Sequence, residues 1–173
     1  MKITEIACGQ SHSLLKTNEG FVYSTGSNLN GELGLGTTES EHEFRKIRDI
    51  KNVMQIAAGT HSGAVDCDGQ IYIWGQGVFG KYLSPLKISN RDDLGYFDSI
   101  SISYGFGVAK SKHGKVYAWG LNSNGQLGQG DTGNRSFLTP VSNLHDFGIV
   151  NSVAAGNHFV ISFMEKLHPE RPL

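Results

Sequence analysis

The sequence predicts an all-β fold made of repeated four-stranded units, and three observations lead to this prediction. Glycine occupies 23 of the 173 positions, which indicates many tight turns and therefore many short strands. Similar motifs recur about every 50 residues, which is the length of a four-stranded unit. No stretch of a dozen residues shows helical periodicity.

The first recurring motif is a short apolar run that ends in glycine. Ile-Ala-Cys-Gly at residues 6–9 returns as Ile-Ala-Ala-Gly at 56–59 and as Val-Ala-Ala-Gly at 153–156. A weaker copy, Ile-Ser-Tyr-Gly, occupies residues 102–105. The four glycines are 50, 46 and 51 residues apart. A motif that keeps one period along the whole chain indicates a repeat architecture.

Two further motifs follow in the same order. The segment 19–26 matches segments 68–75 and 113–120, and the glycine-rich segment 28–36 returns at 122–130. Asp68 and Gly69 separate two short apolar runs, a pattern typical of a β-hairpin turn. The two tryptophans, Trp74 and Trp119, stand at the same place in their repeats, each before a glycine. We therefore predict that both indole rings belong to the core.

The ordered set reads I-A-x-G-x-x-H-S, then E/D-G-x-V/I-Y-x-W-G, then N-x-x-G-x-L-G-x-G. It resembles the regulator of chromosome condensation repeat family, and the resemblance extends to about Ser162. The chain contains neither the Trp-Asp dipeptide nor the Gly-Gly doublet that mark two other families of similar repeat length. The resemblance implies a partial β-propeller of four-stranded blades.

The predicted division is a single partial propeller. It has blade 1 at about 1–50, blade 2 at about 51–97, blade 3 at about 98–147, the start of blade 4 at about 148–164, and a polar tail at 165–173. The family implies a ring of seven blades, or about 350 residues at this period. We expect a fragment, a reduced member, or a chain that self-associates or is completed by another chain, because an open arc exposes the faces of its terminal sheets.

Composition excludes several functions. The net charge of −1 argues against direct nucleic-acid binding, which normally needs a basic surface. No apolar run approaches the ~20 residues of a membrane helix, so no membrane partner is expected. Cys8 and Cys67 lie far apart and outside any C-x-x-C pair. Two free thiols and the absence of an apolar signal core favour a cytoplasmic or nuclear location.

Several motifs suggest chemistry without the context that the chemistry requires. Segments 75–80 and 128–133 read G-x-G-x-x-G, but neither precedes an amphipathic helix that could meet a dinucleotide. His12, His61 and His158 occupy equivalent places in different repeats, which predicts a repeated structural role instead of one metal site. We therefore predict no catalytic residue, no cofactor and no metal.

The predicted function is that of a protein–protein interaction scaffold within a larger chain or assembly, because propeller loops on a rigid frame are natural recognition surfaces. The resemblance implies an alternative, a guanine-nucleotide exchange factor for a Ran-type small GTPase. In both cases the partner is a protein. Measured nucleotide exchange would separate the two hypotheses.

The predicted partner site lies where the second repeat loses its motif, at residues 79–96. Aromatic residues and arginine are the usual interface anchors, and a segment that departs from the repeat is less constrained by folding. An equally simple interpretation is sequence drift in a solvated loop. The candidate residues are Phe79, Lys81, Tyr82, Arg91, Asp92 and Asp93.

Overall fold

The structure, a computed structural model, describes residues 1–88, 95–141, 144, 149–156 and 160–165. Within these residues, fourteen β-strands form three four-stranded sheets and one two-stranded sheet, all antiparallel. In each four-stranded sheet the strands lie in chain order, so every strand pairs with the one before it. The predicted all-β fold of four-stranded blades is confirmed.

The first two sheets are blades 1 and 2. Blade 1 contains β1 (Ile3–Cys8), β2 (His12–Thr17), β3 (Val22–Gly26) and β4 (Glu41–Lys46). Blade 2 contains β5 (Val53–Ala58), β6 (Ser62–Asp66), β7 (Ile71–Gly77) and β8 (Gly80–Lys87).

The remaining strands form blade 3 and the beginning of blade 4. Blade 3 contains β9 (Phe97–Ile102), β10 (Phe106–Ser111), β11 (Val116–Gly120) and β12 (Arg135–Pro140). Blade 4 begins with β13 (Ile149–Ala155) and β14 (Val160–Glu165).

The hairpin expected at Asp68 and Gly69 joins β6 to β7. The Asp66 carboxylate accepts hydrogen bonds from the backbone N–H groups of Asp68 and Gln70, at 2.9 and 2.8 Å. Gly69 has a φ of +71°, a backbone conformation that glycine adopts without steric cost. An aspartate just before the turn and a glycine within it therefore fix the connection.

The first strands of neighbouring blades contact each other, β1 with β5, β5 with β9 and β9 with β13. They form the inner side of the array, and the fourth strands lie at the opposite edge of each sheet. The apolar core is consequently located between blades. Between blades 1 and 2 it includes Leu14, Val22, Val53, Ile56 and Trp74.

The same repeat position has very different exposure in different blades. Ile56 is 4% exposed, Ile100 3% and Val153 8%, and each lies on a sheet face that packs against the preceding blade. Their counterpart in blade 1, Ile6, is 65% exposed, because no sheet of the described residues covers that side of blade 1.

Strand register corrects one alignment made from the sequence. The first turn of each blade is closed by a bond from the N–H of Gly9, Gly59 or Ser103 to the carbonyl of the residue that begins or directly precedes the second strand. Ser103, not Gly105, is therefore the structural equivalent of the repeat glycine. The weaker copy of the motif begins at Ile100, two residues earlier than the sequence suggested, because the two serines hide the match.

Candidate protein-interaction surface

Three short turns lie side by side at one end of the sheets and connect the first two strands of each blade. They cover residues 9–11, 59–61 and 103–105. The Gln10 N–H donates to the Gly59 carbonyl at 2.9 Å, and the Thr60 N–H donates to the Ser103 carbonyl at 3.2 Å. The turn of blade 1 is therefore bonded to that of blade 2, and the turn of blade 2 to that of blade 3. We call this row the turn rim.

Thr60 strengthens the rim between blades 2 and 3. Its hydroxyl oxygen accepts from the Gly105 N–H at 2.9 Å, and the hydroxyl donates to the Ser103 carbonyl at 3.3 Å. The turns approach so closely that a Cβ on Gly59 would lie 2.5 Å from the Ser103 carbonyl oxygen. Close approach of the neighbouring blade explains why the repeat places glycine at this position.

A cavity of about 310 Å³ opens beside the turn rim. The ends of the first strands contribute Cys8, Ala58 and Ile102, and the turns contribute Gln10, Ser103 and Tyr104. Among the described residues, no lysine, arginine, aspartate or glutamate lines the cavity. Tyr104 is 50% exposed, so an aromatic ring borders the opening. The cavity combines apolar surface with uncharged hydrogen-bonding groups.

Beside the rim, a loop connects the third and fourth strands of blade 1 at residues 27–40. Asn28 is fully buried and organises the loop from within. Its side-chain amide donates to the carbonyls of Thr37 and Glu39, at 3.0 and 2.9 Å, and its side-chain oxygen accepts from the Leu33 N–H at 2.9 Å. Asn122 has equivalent contacts in blade 3. The first asparagine of the repeat motif therefore shapes the loop.

The loop of blade 1 bonds directly to blade 2, and we call this contact the first junction. The Glu32 carbonyl accepts from the Trp74 indole N–H at 2.8 Å and from the Ser62 hydroxyl at 2.8 Å. The Ser62 oxygen also lies 2.7 Å from His12 Nε2. Because the single hydroxyl proton is already directed at Glu32, His12 must be the donor and carries its proton on Nε2.

Burial lowers the pKa of His12, and the nearby Glu32 carboxylate opposes this shift. The bond to Ser62 requires a proton on Nε2, and the lowered pKa favours the neutral ring that carries its single proton there. His12 therefore joins blade 1 to a hydroxyl of blade 2, a structural contact.

The second junction, between blades 2 and 3, lacks these bonds. Blade 2 has no long loop, because β7 and β8 extend towards each other and leave only residues 78–79 between them. Blade 3 has Gly107 where blade 2 has Ser62. The Trp119 indole N–H is buried and has no hydrogen-bond partner among the described residues.

His61 is also affected by the missing hydrogen bonds of the second junction. It is 2% exposed, and neither ring nitrogen has a partner within the described part of the chain. Burial, together with the neighbouring His12, lowers the pKa of His61 to about 4. His61 is therefore neutral at physiological pH.

The partner residues predicted from the sequence fall around this shortened connection. Phe79 is half-buried and packs against the core between blades 2 and 3. Tyr82 donates its hydroxyl to the Phe79 carbonyl at 3.0 Å, and Lys81 donates to the Leu29 carbonyl of blade 1 at 2.9 Å. All three therefore have contacts within the fold. Arg91, Asp92 and Asp93, like His158, lie outside the described residues.

Sequence reasoning did not single out Gln10, Thr60, Ser103 or Tyr104. They occupy turn positions where the repeats differ from one another. Variation within a turn whose flanking strands keep the repeat would have been a usable signal, since it marks exposed positions that folding does not fix.

Among the described residues there is no group of three or more His, Cys, Asp or Glu side chains that could hold a metal ion. Within the same residues, no helix has the length and apolar character needed to cross a bilayer.

Family comparison agrees with the repeat pattern. A family model described as the regulator of chromosome condensation (RCC1) repeat matches residues 19–65 and 113–162. A second model of the same description matches residues 3–32 and 97–126. Between them the two models match residues 3–65 and 97–162, which include blades 1 and 3, the first two strands of blade 2 and the beginning of blade 4.

Individual relatives are much longer proteins. The ultraviolet-B receptor UVR8 of Arabidopsis thaliana is 36% identical over 149 residues, which are 76% of this chain and 32% of the receptor. The E3 ubiquitin-protein ligase HERC2 of Mus musculus is 30% identical over 171 residues, 90% of this chain and 4% of the ligase. The chain thus spans about a third of one relative and a small part of the other.

Solved structures show the same fold. Prp20p from Saccharomyces cerevisiae superposes with a TM-score of 0.81 and 24% identity, over 92% of this chain and 43% of Prp20p. Human WBSCR16 superposes with a TM-score of 0.58 and 20% identity, over 96% of this chain and 58% of WBSCR16.

Proposed function

The chain belongs to the regulator of chromosome condensation (RCC1) repeat family, and from this premise we propose that it is a protein-binding scaffold whose recognition surface is the turn rim and the loops beside it. The observation that carries the proposal is the bonding of the three turns to one another, through Gln10 and Thr60. A surface held in one conformation before binding loses little conformational entropy when a partner docks.

The chemistry of the rim suits binding better than catalysis. The three turns contain no lysine, arginine, aspartate or glutamate, and the buried His61 has a pKa of about 4, far from a value useful for general base catalysis near neutral pH. The turns offer glycine backbone, hydroxyls, an amide and the Tyr104 ring, which make contacts without an ionic partner.

The hairpin formed by β7 and β8 extends this surface. It emerges at the same end of the sheets as the rim, and Lys81 connects it to the loop of blade 1. We retain Phe79, Lys81 and Tyr82 as proposed partner-binding residues, together with Arg91, Asp92 and Asp93. Because Phe79 also packs against the core, its removal would alter folding as well as binding.

The exposed side of blade 1 supports a second part of the proposal, namely that this face packs against another blade. Ile3 and Ile6 are 49% and 65% exposed, whereas the equivalent Val53 and Ile56 are 3% and 4% exposed beneath blade 1. Covering one such side chain contributes about 1.5–3 kcal/mol. The blade that covers it would belong to a longer form of this chain, to a second copy, or to another repeat protein.

The alternative function is nucleotide exchange on a Ran-type small GTPase. The structure of Prp20p was described together with its binding to Gsp1p and histones, so a protein of this fold binds other proteins. Exchange needs a surface that stabilises the nucleotide-free GTPase, and within the described residues no loop stands out as a wedge for that purpose.

Partner capture with paired variants tests the scaffold. The rim variant carries Gln10→Arg and Tyr104→Ser, which place charge and remove the ring beside the cavity. The control variant carries Glu19→Arg and His113→Ser, on the hairpin turns at the opposite end of the sheets. We expect partners captured by the wild type to be retained by the control variant and lost by the rim variant, with all three chains melting alike. Equal capture by both variants would exclude the rim as the recognition surface.

Release of a fluorescent GDP analogue from a panel of small GTPases tests the alternative. The scaffold proposal expects the spontaneous rate with and without the chain. Acceleration for one GTPase, abolished in the rim variant, would replace the scaffold by an exchange factor.

A further inference from the structure

The hairpin of β7 and β8 ends in a short unit that is set apart from the rest of blade 2. It consists of the last three residue pairs of the ladder, Gly75–Tyr82, Gln76–Lys81 and Gly77–Gly80. A register shift between Ile73 and Gly75 separates these pairs from the earlier ones. We call residues 75–82 the hairpin tip. Three of its eight residues are glycines, which gain more backbone freedom than other residues when a segment opens.

The hairpin tip lies over buried polar groups that have no hydrogen-bond partner among the described residues. A Cβ on Gly77 would lie 3.9 Å from His61 Cγ and 4.0 Å from His61 Nδ1, and Phe79 packs against the apolar cluster that contains Trp119. Both ring nitrogens of His61 and the indole N–H of Trp119 are unpaired within that part of the chain. Keeping such groups from water is unfavourable, so opening of the tip would recover their hydration.

The contacts that hold the tip are weaker than those of the equivalent loop in blade 1. An exposed hydrogen bond from Lys81 to the Leu29 carbonyl joins the tip to blade 1, and the half-buried Phe79 ring attaches it to the core. The loop of blade 1 is fixed instead by the bonds of the buried Asn28 and by the two bonds to the Glu32 carbonyl. The tip should therefore open at a lower free energy than the blade that carries it.

No carboxylate among the described residues is paired with His61 in the closed arrangement. The titratable groups of the neighbouring elements are His12 and Glu32 in blade 1, Lys81 in the tip, and Asp98 and Lys110 in blade 3. Burial, and then the neighbouring His12, lowers the pKa of His61. The Glu32 carboxylate accepts two hydrogen bonds from Asn30, and Asp98 forms an ion pair with Lys110 at 2.6 Å. A proton on His61 would consequently be stabilised by water and not by a counter-ion.

We propose that the hairpin tip is a proton-sensitive lid, which opens locally, uncovers His61 and Trp119, and is held open when the uncovered His61 takes up a proton. In the open form water hydrates both side chains, and the Phe79 ring leaves the core. Because the open form binds the proton more tightly than the closed form, acid shifts the equilibrium towards the open form. The lid belongs to the chain alone, so neither its opening nor its test requires a partner.

The two pKa values of His61 set the size of the effect. His61 has a pKa of about 4 when it is buried and an ordinary value of 6.5 when it is uncovered. Between pH 7 and pH 5, the equilibrium constant for opening should therefore rise about 20-fold. Native-state hydrogen exchange of the full chain, read by mass spectrometry and corrected for the intrinsic pH dependence of amide exchange, measures this constant for the peptide that contains the hairpin tip. A peptide from β10 reports global unfolding.

We expect the tip to exchange faster than β10 and to be insensitive to low urea concentrations, because local opening exposes little surface. In His61→Leu and in His61→Gln, the opening constant should be the same at pH 7 and at pH 5. Two variants are used because leucine also removes the unpaired nitrogens, whereas glutamine keeps a polar group that does not titrate. Phe79→Ala should raise the opening constant at both pH values and keep the ratio of about 20 between them.

Equal exchange free energies and equal urea dependence for the tip and β10 would overturn the lid, because the tip would then open only when the chain unfolds. A rise that persists in both His61 variants would assign the proton sensitivity to another group. An opening constant of the wild type that does not change with pH would show that the tip opens without uncovering His61. Either of these last two results also contradicts the proposal.

Discussion

The two junctions between complete blades are built from the same repeat, but their buried polar side chains differ in hydrogen bonding. At the first junction, the Glu32 carbonyl accepts from Trp74 and from Ser62, and His12 completes the network. At the second junction, Trp119 and His61 are equally buried, yet the indole N–H and both imidazole nitrogens have no partner among the described residues. Among the described residues, the lost loop leaves the indole N–H unpaired, and Gly107 at the position of Ser62 leaves the His61 ring unpaired.

The difference shows what the glycine-rich motif does for the fold. Its Asn28 fixes a loop that presents a carbonyl to the next blade, so the motif acts across the junction as well as within its own blade. Where the motif is absent, Phe79 packs into the core instead. Apolar packing thereby takes the place of hydrogen bonding. Compared with the first junction, the stability of the second should depend more on protonation and less on loop mutations.

The largest expected effect is that of Asn28→Ala. The substitution removes the three hydrogen bonds that the buried Asn28 side chain forms with loop backbone and withdraws the carbonyl that serves the first junction. We expect the free energy of unfolding to fall by about 3 kcal/mol or more, measured by urea denaturation. Gln76→Ala, in the exposed hairpin that replaces the loop in blade 2, should change it by less than about 0.5 kcal/mol. Similar losses for both variants would remove the distinction between the junctions.

Acid should weaken the second junction through His61. The pKa of His61 is about 4 in the folded chain, against an ordinary value of 6.5, so as pH falls the unfolded chain takes up the proton first. Stability is therefore lost as pH falls from 6.5 towards 4, and the loss levels off below that range. We expect about 3 kcal/mol over this window.

The His61→Leu variant isolates the contribution of His61 to the pH dependence of stability, because it keeps His12 and every carboxylate. Unfolding free energies at a series of pH values should decline more steeply for the wild type than for the variant between pH 6.5 and 4. Parallel curves would mean that His61 is protonated in the folded chain and that the second junction contains a partner for it.

The two tryptophans allow a matched comparison of a smaller effect. Trp74→Phe and Trp119→Phe remove the same atoms from buried positions, but only the first breaks a hydrogen bond. We expect Trp74→Phe to lower the free energy of unfolding by about 1 kcal/mol more than Trp119→Phe. Denaturant titration of both variants measures the difference. The opposite order would show that the Trp119 N–H is the better satisfied of the two.

Much of this architecture was predictable because the same local sequence motifs recur in several repeats. The hairpin at Asp68 and Gly69 and the burial of Trp74 and Trp119 follow from turn chemistry and ring size. The alignment of blade 3 was wrong by two residues, because Ser103 replaces the repeat glycine and only the strand register reveals the equivalence.

The candidate surface was harder to predict, because its contacts join residues that are distant in sequence. Glu32, Ser62 and His12 belong to two blades and meet only at their junction. The cavity likewise needs the turns of three blades side by side. A single repeat motif contains no information about which carbonyl the preceding blade will present. In contrast, the irregular segment at Phe79 was visible in the sequence, but its packing role was not.

The smallest expected stability change belongs to Lys81, and for that reason it gives the cleanest test of the partner site predicted from the sequence. Its ammonium group donates to the Leu29 carbonyl in an exposed bond between the hairpin of blade 2 and the loop of blade 1. Lys81→Met keeps most of the aliphatic stem and removes the donor, so the free energy of unfolding should change by less than about 0.5 kcal/mol. If the hairpin contacts a partner, capture should weaken while the melting curve stays unchanged.

Phe79→Ala is the contrasting variant, because it also removes core packing and should lower the melting temperature. Full capture by Lys81→Met would mean that this lysine serves the fold alone and that recognition is confined to the turn rim.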